Sequence, residues 1–306
     1  MKKPVALVLA SGGARGMAHI GVIEELERSN FQISSIAGSS FGAVVGGIYA
    51  AGNLGRFKEW LLDLDKMDVF KLMDFTFSKN GFIKGIRVFN EIRPFITDAN
   101  IEDLSIPFTT VAVDPYTHSE IIFKSGSLFD AIRASVSYPS IVEPYTINGT
   151  DYIDGGVLNP IPLDLVKRNE NDILVAVNIN ALVPYKRPAK YIKNEMKSEE
   201  NSQIKKKEFN ENWENIFPKE KNTIEKFTSI QLLNHSYDMM QNKITNLNLE
   251  KFPPDILVNI SKHVCSTFDF FKATEIIQLG MDAFAAALEA YDKIEIRKFK
   301  NLQTKC

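Results

Sequence analysis

The sequence predicts an α/β protein with a doubly wound, mostly parallel sheet and helices on both faces. Three observations point there. Short apolar runs bounded by glycines lack polar alternation, which marks strands buried on both sides. Helical periodicities follow these runs. The first two strand-to-helix junctions are glycine turns, and strand, glycine turn, helix, stated twice, is how such a sheet begins.

Residues 5–10 read as a buried first strand. Residues 17–28 follow as a helix with Val22, Ile23 and Leu26 on one face. Residues 32–37 are a second short strand, and the turn at 38–42 opens a helix through Val44 and Ile48. Residues 54–103 are mostly helical in pattern, with breaks at Gly81 and Gly85. Residues 108–113 and 120–123 read as strands, and 128–137 as a helix that ends before Pro139. Residues 142–147 and 152–153 flank Asn148-Gly149, a strong two-residue hairpin signal. Residues 173–179 are another buried strand. From about 184 to 226 the chain turns polar, with Lys205-Lys206-Lys207 and an amphipathic trio, Phe209, Trp213 and Ile216. Periodicity returns at Ile230, Leu233, Tyr237, Met240, Ile244 and Leu247, which trace one face of a long helix. Residues 256–260 form a late strand, and Ile277, Met281, Phe284, Leu288 and Tyr291 mark a closing helix. The simplest organisation is one α/β domain over 1–306 that carries a polar, charged insertion at about 184–226.

Composition narrows the function classes. With 36 Lys and Arg against 38 Asp and Glu, the net charge of -2 lacks the basic footprint of a nucleic-acid binder. Two cysteines make no disulfide framework, so a reducing compartment, the cytoplasm, is expected. The apolar start is shorter than a signal-peptide core, and a glycine turn follows at once. No stretch has the ~20 apolar residues of a membrane span. Any contact with a bilayer is therefore expected to be peripheral, at the inner membrane surface.

Gly38-Ser39-Ser40-Phe41-Gly42 fits G-x-S-x-G, with Ser40 at its centre. A nucleophile on so sharp a turn stands exposed above the sheet, and bulky flanking residues would clash. The helix that follows aims its N–H groups at developing negative charge. Ser11-Gly12-Gly13-Ala14-Arg15-Gly16 also joins a strand to a helix. Its glycines allow backbone N–H groups to converge on an anion, either a phosphate or a tetrahedral oxyanion. Neither a Walker nor a dinucleotide-binding spacing is present, which favours the oxyanion. Arg15 either stiffens the loop, steers an anionic substrate, or is a plain surface arginine.

The serine needs a base. His19, His118, His235 and His263 are available, and a Ser40–Asp154–His263 triad can be written. Yet the usual α/β-hydrolase places several strands before its elbow, and only two fit here. No histidine pair has zinc-ligand spacing, and no metal or cofactor is expected. Asp154 ends a short strand and precedes Gly155-Gly156, where backbone can approach closely. A partly dry site would raise its pKa enough for base work. The plain alternative is a turn-capping aspartate.

These motifs, with Ala134-Ser135-Val136-Ser137-Tyr138-Pro139 between them, resemble the bacterial patatin-like phospholipases. The likeness runs over about 5–180 and resumes near Pro253-Pro254-Asp255 and the closing helix. The resemblance implies a patatin-like fold and a metal-free serine acyl hydrolase on lipid esters. It makes Ser40 the nucleophile and Asp154 the base of a Ser–Asp dyad. It makes the N–H groups of Gly12, Gly13 and Ala14 the oxyanion hole. The insertion at 184–226 departs from the shared pattern. It reads either as a solvated spacer or as a lid that touches an anionic membrane. Competing functions are an esterase or thioesterase on small soluble esters and a non-catalytic regulator.

Overall fold

The structure is a computed structural model that describes residues 2–78, 81–139, 141–191 and 229–303. Most of the insertion, including Lys205-Lys206-Lys207, Phe209, Trp213 and Ile216, lies outside the described residues.

Strand β1 (Lys3–Leu9) is buried over its apolar run. A 3-10 turn (Gly13–Met17) leads into α1 (Ala18–Arg28), then β2 (Phe31–Ser39) and α2 (Phe41–Ala50). The stretch expected to be mostly helical is α3 (Leu54–Asp63), α4 (Lys66–Leu72), a small hairpin of β3 (Phe75–Ser78) and β4 (Gly81–Ile83), and α5 (Ile86–Ile96). The glycine breaks were visible in the sequence, but the hairpin around the first of them was not. Next come β5 (Phe108–Asp114), β6 (Ser119–Phe123), α6 (Leu128–Ser135), β7 (Tyr145–Ile147), β8 (Thr150–Asp154) and β9 (Ile173–Ala181). The β7–β8 turn has positive φ at both Asn148 (52°) and Gly149 (85°), as a type I′ turn requires. The chain closes with α7 (Ser229–Lys251), β10 (Ile256–Ser261) and α8 (Ala273–Gln303).

The main sheet has the order β10-β9-β1-β2-β5-β8-β7, with β6 also on β5. The first five strands are mutually parallel, and β6, β8 and β7 are antiparallel additions at one side. This is the mostly parallel, doubly wound sheet that the sequence predicts. On one face, α2 stands on Leu9, Ile36 and Phe108. Helix α8 places Phe284 edge-on to Phe31, with ring centres 6.2 Å apart. Helices α1 and α8 cross backbone to backbone: a Cβ on Gly21 would lie 1.9 Å from the Ile277 carbonyl oxygen. On the other face, the Ser35 hydroxyl donates to the Lys167 carbonyl at 2.5 Å. Helix α7 is tied to the same irregular segment by Asn248, whose amide donates to Asn159 Oδ1 (3.1 Å) and the Ile161 carbonyl (3.3 Å).

Helix α7 is as long as the periodicity predicts, but only part of its apolar stripe faces inward: Tyr237 and Ile244 are half-buried, while Leu233, Met240 and Leu247 point outward. Leu233, Met240 and Leu247 are 63%, 58% and 48% exposed. The inward face carries Tyr237, Gln241, Thr245 and Asn248. The surface it docks on presents the loop carbonyls of Gly156 and Ile161, which take amide donors from the helix.

Candidate active site

Ser40 sits between β2 and α2 at φ 54°, ψ −125°, a strained conformation for a residue with a side chain. Its neighbours explain how the turn is possible. A Cβ on Gly42 would lie 2.3 Å from the Leu9 carbonyl oxygen, and one on Gly38 would lie 2.5 Å from the Gly42 carbonyl oxygen. Both flanks of the motif are therefore glycines because backbone occupies the space. The Ser40 N–H donates to Ser135 Oγ at 2.9 Å, and Thr110 Oγ1 donates to the same oxygen at 3.1 Å. These bonds hold the elbow from behind.

The Ser40 hydroxyl donates to Asp154 Oδ2 at 2.5 Å. Asp154 is 1% exposed. Its other oxygen accepts the Gly156 N–H at 2.7 Å, and its own N–H donates to the Ser137 carbonyl at 2.9 Å. Oδ1 caps the turn and Oδ2 faces the serine. Burial pushes the carboxyl up to about 7, against the downward pull of the bonds from Ser40 and Gly156. The bond runs directly from serine to carboxylate, with no imidazole between them.

The histidines lie elsewhere, His235 among them on α7. His19 is fully buried and donates through Nε2 to the Ala10 carbonyl at 2.9 Å. Burial lowers its pKa to about 4, so it stays neutral. His263 is exposed in a short turn after β10. His118 lies in the β5–β6 turn at φ 56°.

The glycine loop is clamped from three sides. The Ser11 N–H donates to the Pro160 carbonyl at 2.8 Å, and Asn180 Nδ2 donates to the Ser11 carbonyl at 2.6 Å. Arg15 donates through Nε to Asn180 Oδ1 at 3.0 Å and through a terminal nitrogen to the Cys265 carbonyl at 3.4 Å. Arg15 thus stiffens the loop while it also lines the pocket. Gly13 has φ 57°, and its Cα faces Thr267 so closely that a Cβ would meet that residue's carbonyl oxygen at 2.7 Å. The Ala14 N–H donates to the same carbonyl at 2.9 Å and is turned away from the pocket. Gly12 and Gly13 line the pocket, and among the described residues no hydrogen bond occupies their N–H groups.

Ser40 and Asp154 lie at the polar end of a cavity of about 190 Å³. Its walls are otherwise apolar: Phe41 and Val44 from α2, Phe57 and Trp60 from α3, Met73 after α4, and Phe89 from α5. Helix α7 contributes Asp238 and Gln241 beside the dyad. The Gln241 amide donates to the Gly156 carbonyl at 2.8 Å and to the Tyr237 hydroxyl at 3.0 Å. Tyr237 in turn meets Tyr138 edge-on, with ring centres 5.2 Å apart. Among the described residues no cluster of His, Cys, Asp or Glu is placed to hold a metal ion. No helix among them is long and apolar enough to cross a membrane.

Sequence reading brought Ser40, Asp154, the glycine loop and Arg15 to the same place. It noticed the segment containing Ser135 without giving that residue a role. It missed Asn180, Thr267, Tyr237 and Gln241, which belong to no local motif and act across the fold.

A serine elbow, a glycine loop and a buried carboxylate around an apolar cavity, on a mostly parallel sheet, make up the architecture of a lipid hydrolase. The chain belongs to the patatin-like phospholipase family, whose model matches residues 7–167, more than half of its length. Among similar proteins is an uncharacterized NTE family protein of Mycobacterium tuberculosis, 28% identical over 333 residues. That match covers 94% of this chain and 92% of the relative. A second NTE family protein of the same organism is 30% identical over 190 residues, covering 60% of this chain and 32% of the relative. The patatin-like phospholipase domain-containing protein 6 of Mus musculus is 28% identical over 184 residues, covering 58% of this chain and 14% of the relative.

Proposed function

We propose that the protein hydrolyses acyl esters of lipids, as a phospholipase A or lysophospholipase, through a Ser40–Asp154 dyad and a covalent acyl-enzyme. The 2.5 Å bond from Ser40 Oγ to a buried carboxylate at the head of an apolar cavity carries this reading. Asp154 takes the hydroxyl proton as Ser40 Oγ attacks the ester carbonyl carbon. The oxyanion that forms is met by the N–H groups of Gly12 and Gly13, with that of Phe41 at the start of α2. Ala14 stands behind this pair, its N–H engaged by Thr267, and supports the loop rather than the oxyanion. The carbon–oxygen bond to the alcohol breaks, and Asp154 returns the proton to the departing oxygen. Water then attacks the acyl-enzyme, Asp154 accepts its proton, and that proton reprotonates Ser40 as the fatty acid leaves.

The cavity fits this assignment because an acyl chain needs apolar walls and the ester needs donors at one end. A carboxyl near 7 supports it too, since a carboxylate at its ordinary pKa is a weak base for a serine. The substrate, being a lipid, brings the protein to a membrane surface as a peripheral visitor.

The test is a panel of phospholipids, monoacyl lipids and simple soluble esters, run with fluorophosphonate labelling of the wild type and of Ser40→Ala. Labelling confined to the wild type, with turnover highest on lipid esters, is the expected result. Turnover confined to small esters would make it a soluble esterase. Absence of both turnover and labelling would leave a regulator that keeps the fold.

A further inference from the structure

Ser11 opens the glycine loop, and its backbone is fixed on both sides by Pro160 and Asn180. Its side chain is buried, at 3% exposure, and its hydroxyl has no hydrogen-bond partner among the described residues. A serine hydroxyl can donate once and accept twice, so a silent one deep in a functional site needs an account. Its surroundings supply one. Ser11 Oγ lies 2.9 Å from the place a Cβ on Gly156 would take. Gln241 Nε2 lies 2.9 Å and Asp154 Oδ1 3.0 Å from that same point. The missing side chain of Gly156 is what allows these three polar atoms to gather.

Only one of the two neighbours can serve the hydroxyl as an acceptor. Gln241 Nε2 is a donor, and its two protons go to the Gly156 carbonyl and the Tyr237 hydroxyl. Asp154 Oδ1 accepts one N–H, from Gly156, and a carboxylate oxygen has room for another. At rest the carboxylate does not need it, because Ser40 donates to Oδ2. The need arises within the reaction. Once Ser40 carries the acyl group it has no proton to donate, and the proton taken by Asp154 has left on the alcohol. A buried carboxylate then stands with a single backbone donor, a costly state in a dry site.

We propose that the Ser11 hydroxyl turns to Asp154 in the acyl-enzyme and donates to its carboxylate, which makes Ser11 a positioning residue for deacylation. This rests on the dyad reading above. It gives the first residue of the loop a task separate from the oxyanion contacts of the two glycines behind it. The other titratable groups at this spot are Tyr138, Tyr237, Asp238 and Arg15. Burial raises both phenols far above neutrality, so neither tyrosine ionises in the working range. Asp238 and Arg15 remain in every variant considered.

The experiment separates the two half-reactions with an activated p-nitrophenyl ester, reading acylation from the burst and deacylation from the steady state, across pH. In Ser11→Ala the acid limb of deacylation moves to higher pH by about one unit. That is about a tenfold loss of rate on that limb. The acid limb of acylation stays in place, because Ser40 still serves the carboxylate before the chemistry starts. Ser11→Thr, which keeps the hydroxyl, holds the deacylation limb at its wild-type position. An unshifted deacylation limb in Ser11→Ala, or equal shifts in both limbs, would overturn the proposal. So would a threonine variant that behaves as alanine does. A wild type with no burst and no labelling at Ser40 would instead overturn the dyad itself, so the two failures are distinguishable.

Discussion

Helices α2 and α7 line the same cavity and are built in opposite ways. Nearly every residue of α2 is buried, none is charged, and it springs from the strained Ser40 turn. Helix α7 reaches the dyad through Tyr237 and Gln241, and it leaves Leu232, Leu233, Met239, Met240 and Leu247 in solvent. One wall is held by close packing and the other chiefly by a handful of polar bonds, with Leu249 and the Tyr237–Tyr138 ring contact beside them. Packing fixes atoms to within a rotamer, which is what the strained Ser40 turn needs. Polar docking fixes a helix more loosely and at lower local stability.

The largest expected effects lie on the packed side. Ser40→Ala keeps the fold and lowers turnover by about 10⁴-fold or more, as loss of a nucleophile does; titration of active sites with the fluorophosphonate checks it. Asp154→Asn keeps the hydrogen-bonding shape but removes the carboxylate proposed as the base, and turnover should fall by about 10³-fold or more. The same variant has a stability signature. The folded carboxyl, near 7, is raised above its unfolded value, so its contribution to stability is present at acid pH and lost as pH rises through about 7. Asp154→Asn removes that loss, so the Tm difference from wild type should grow in the mutant's favour from pH 4 to pH 8. A constant difference across that range would mean the carboxyl is not raised.

Next in size is the glycine loop. Gly13→Ala places a Cβ 2.6 Å from Thr267 Cγ2 in a left-handed conformation, and should lower kcat by about 10²-fold through misaimed oxyanion donors. Gly55→Ala, where a Cβ meets nothing within 4 Å, is the control and should match wild type. On the docked side, Gln241→Ala removes two hydrogen bonds but no catalytic group, and a fall in kcat/KM of only about three- to tenfold is expected. A collapse as deep as that of Asp154→Asn would erase the distinction between the two walls. His263→Ala should change turnover least of all. His19→Ala should instead cost about 2 kcal/mol of stability, through a cavity and an orphaned Ala10 carbonyl, with turnover per folded molecule largely kept.

What could be read in advance follows the same division. Strand β1, the elbow, the Asn148-Gly149 turn and Asp154-Gly155-Gly156 each carry their reason within a few residues, as steric need or dihedral preference. Asn180 could not be found that way. It is an ordinary asparagine at a strand end until the fold brings Ser11 and Arg15 to its amide. Thr267 acts through its carbonyl, a group every residue has. The hairpin of β3 and β4 is too short to stand out from the helical pattern around it. The stripe on α7 was real, but hydrophobic periodicity gives the period of a helix and not the direction it faces. Here the carbonyls of the loop after Asp154 decided the direction.

The docking of α7 also sets how the protein should respond to heat. Contacts made of amide and hydroxyl hydrogen bonds are enthalpic and weaken steadily on warming, while the apolar seams that hold α2, α1 and α8 to the sheet do not lose strength in the same way. The inner helix contacts should therefore let go at a temperature where the sheet is still intact. Catalysis would fade over a range in which circular dichroism at sheet wavelengths barely moves, and cooling would restore it. The temperature of half-inactivation would then sit below the calorimetric midpoint, and the gap between the two would measure how lightly one wall of the cavity is hung.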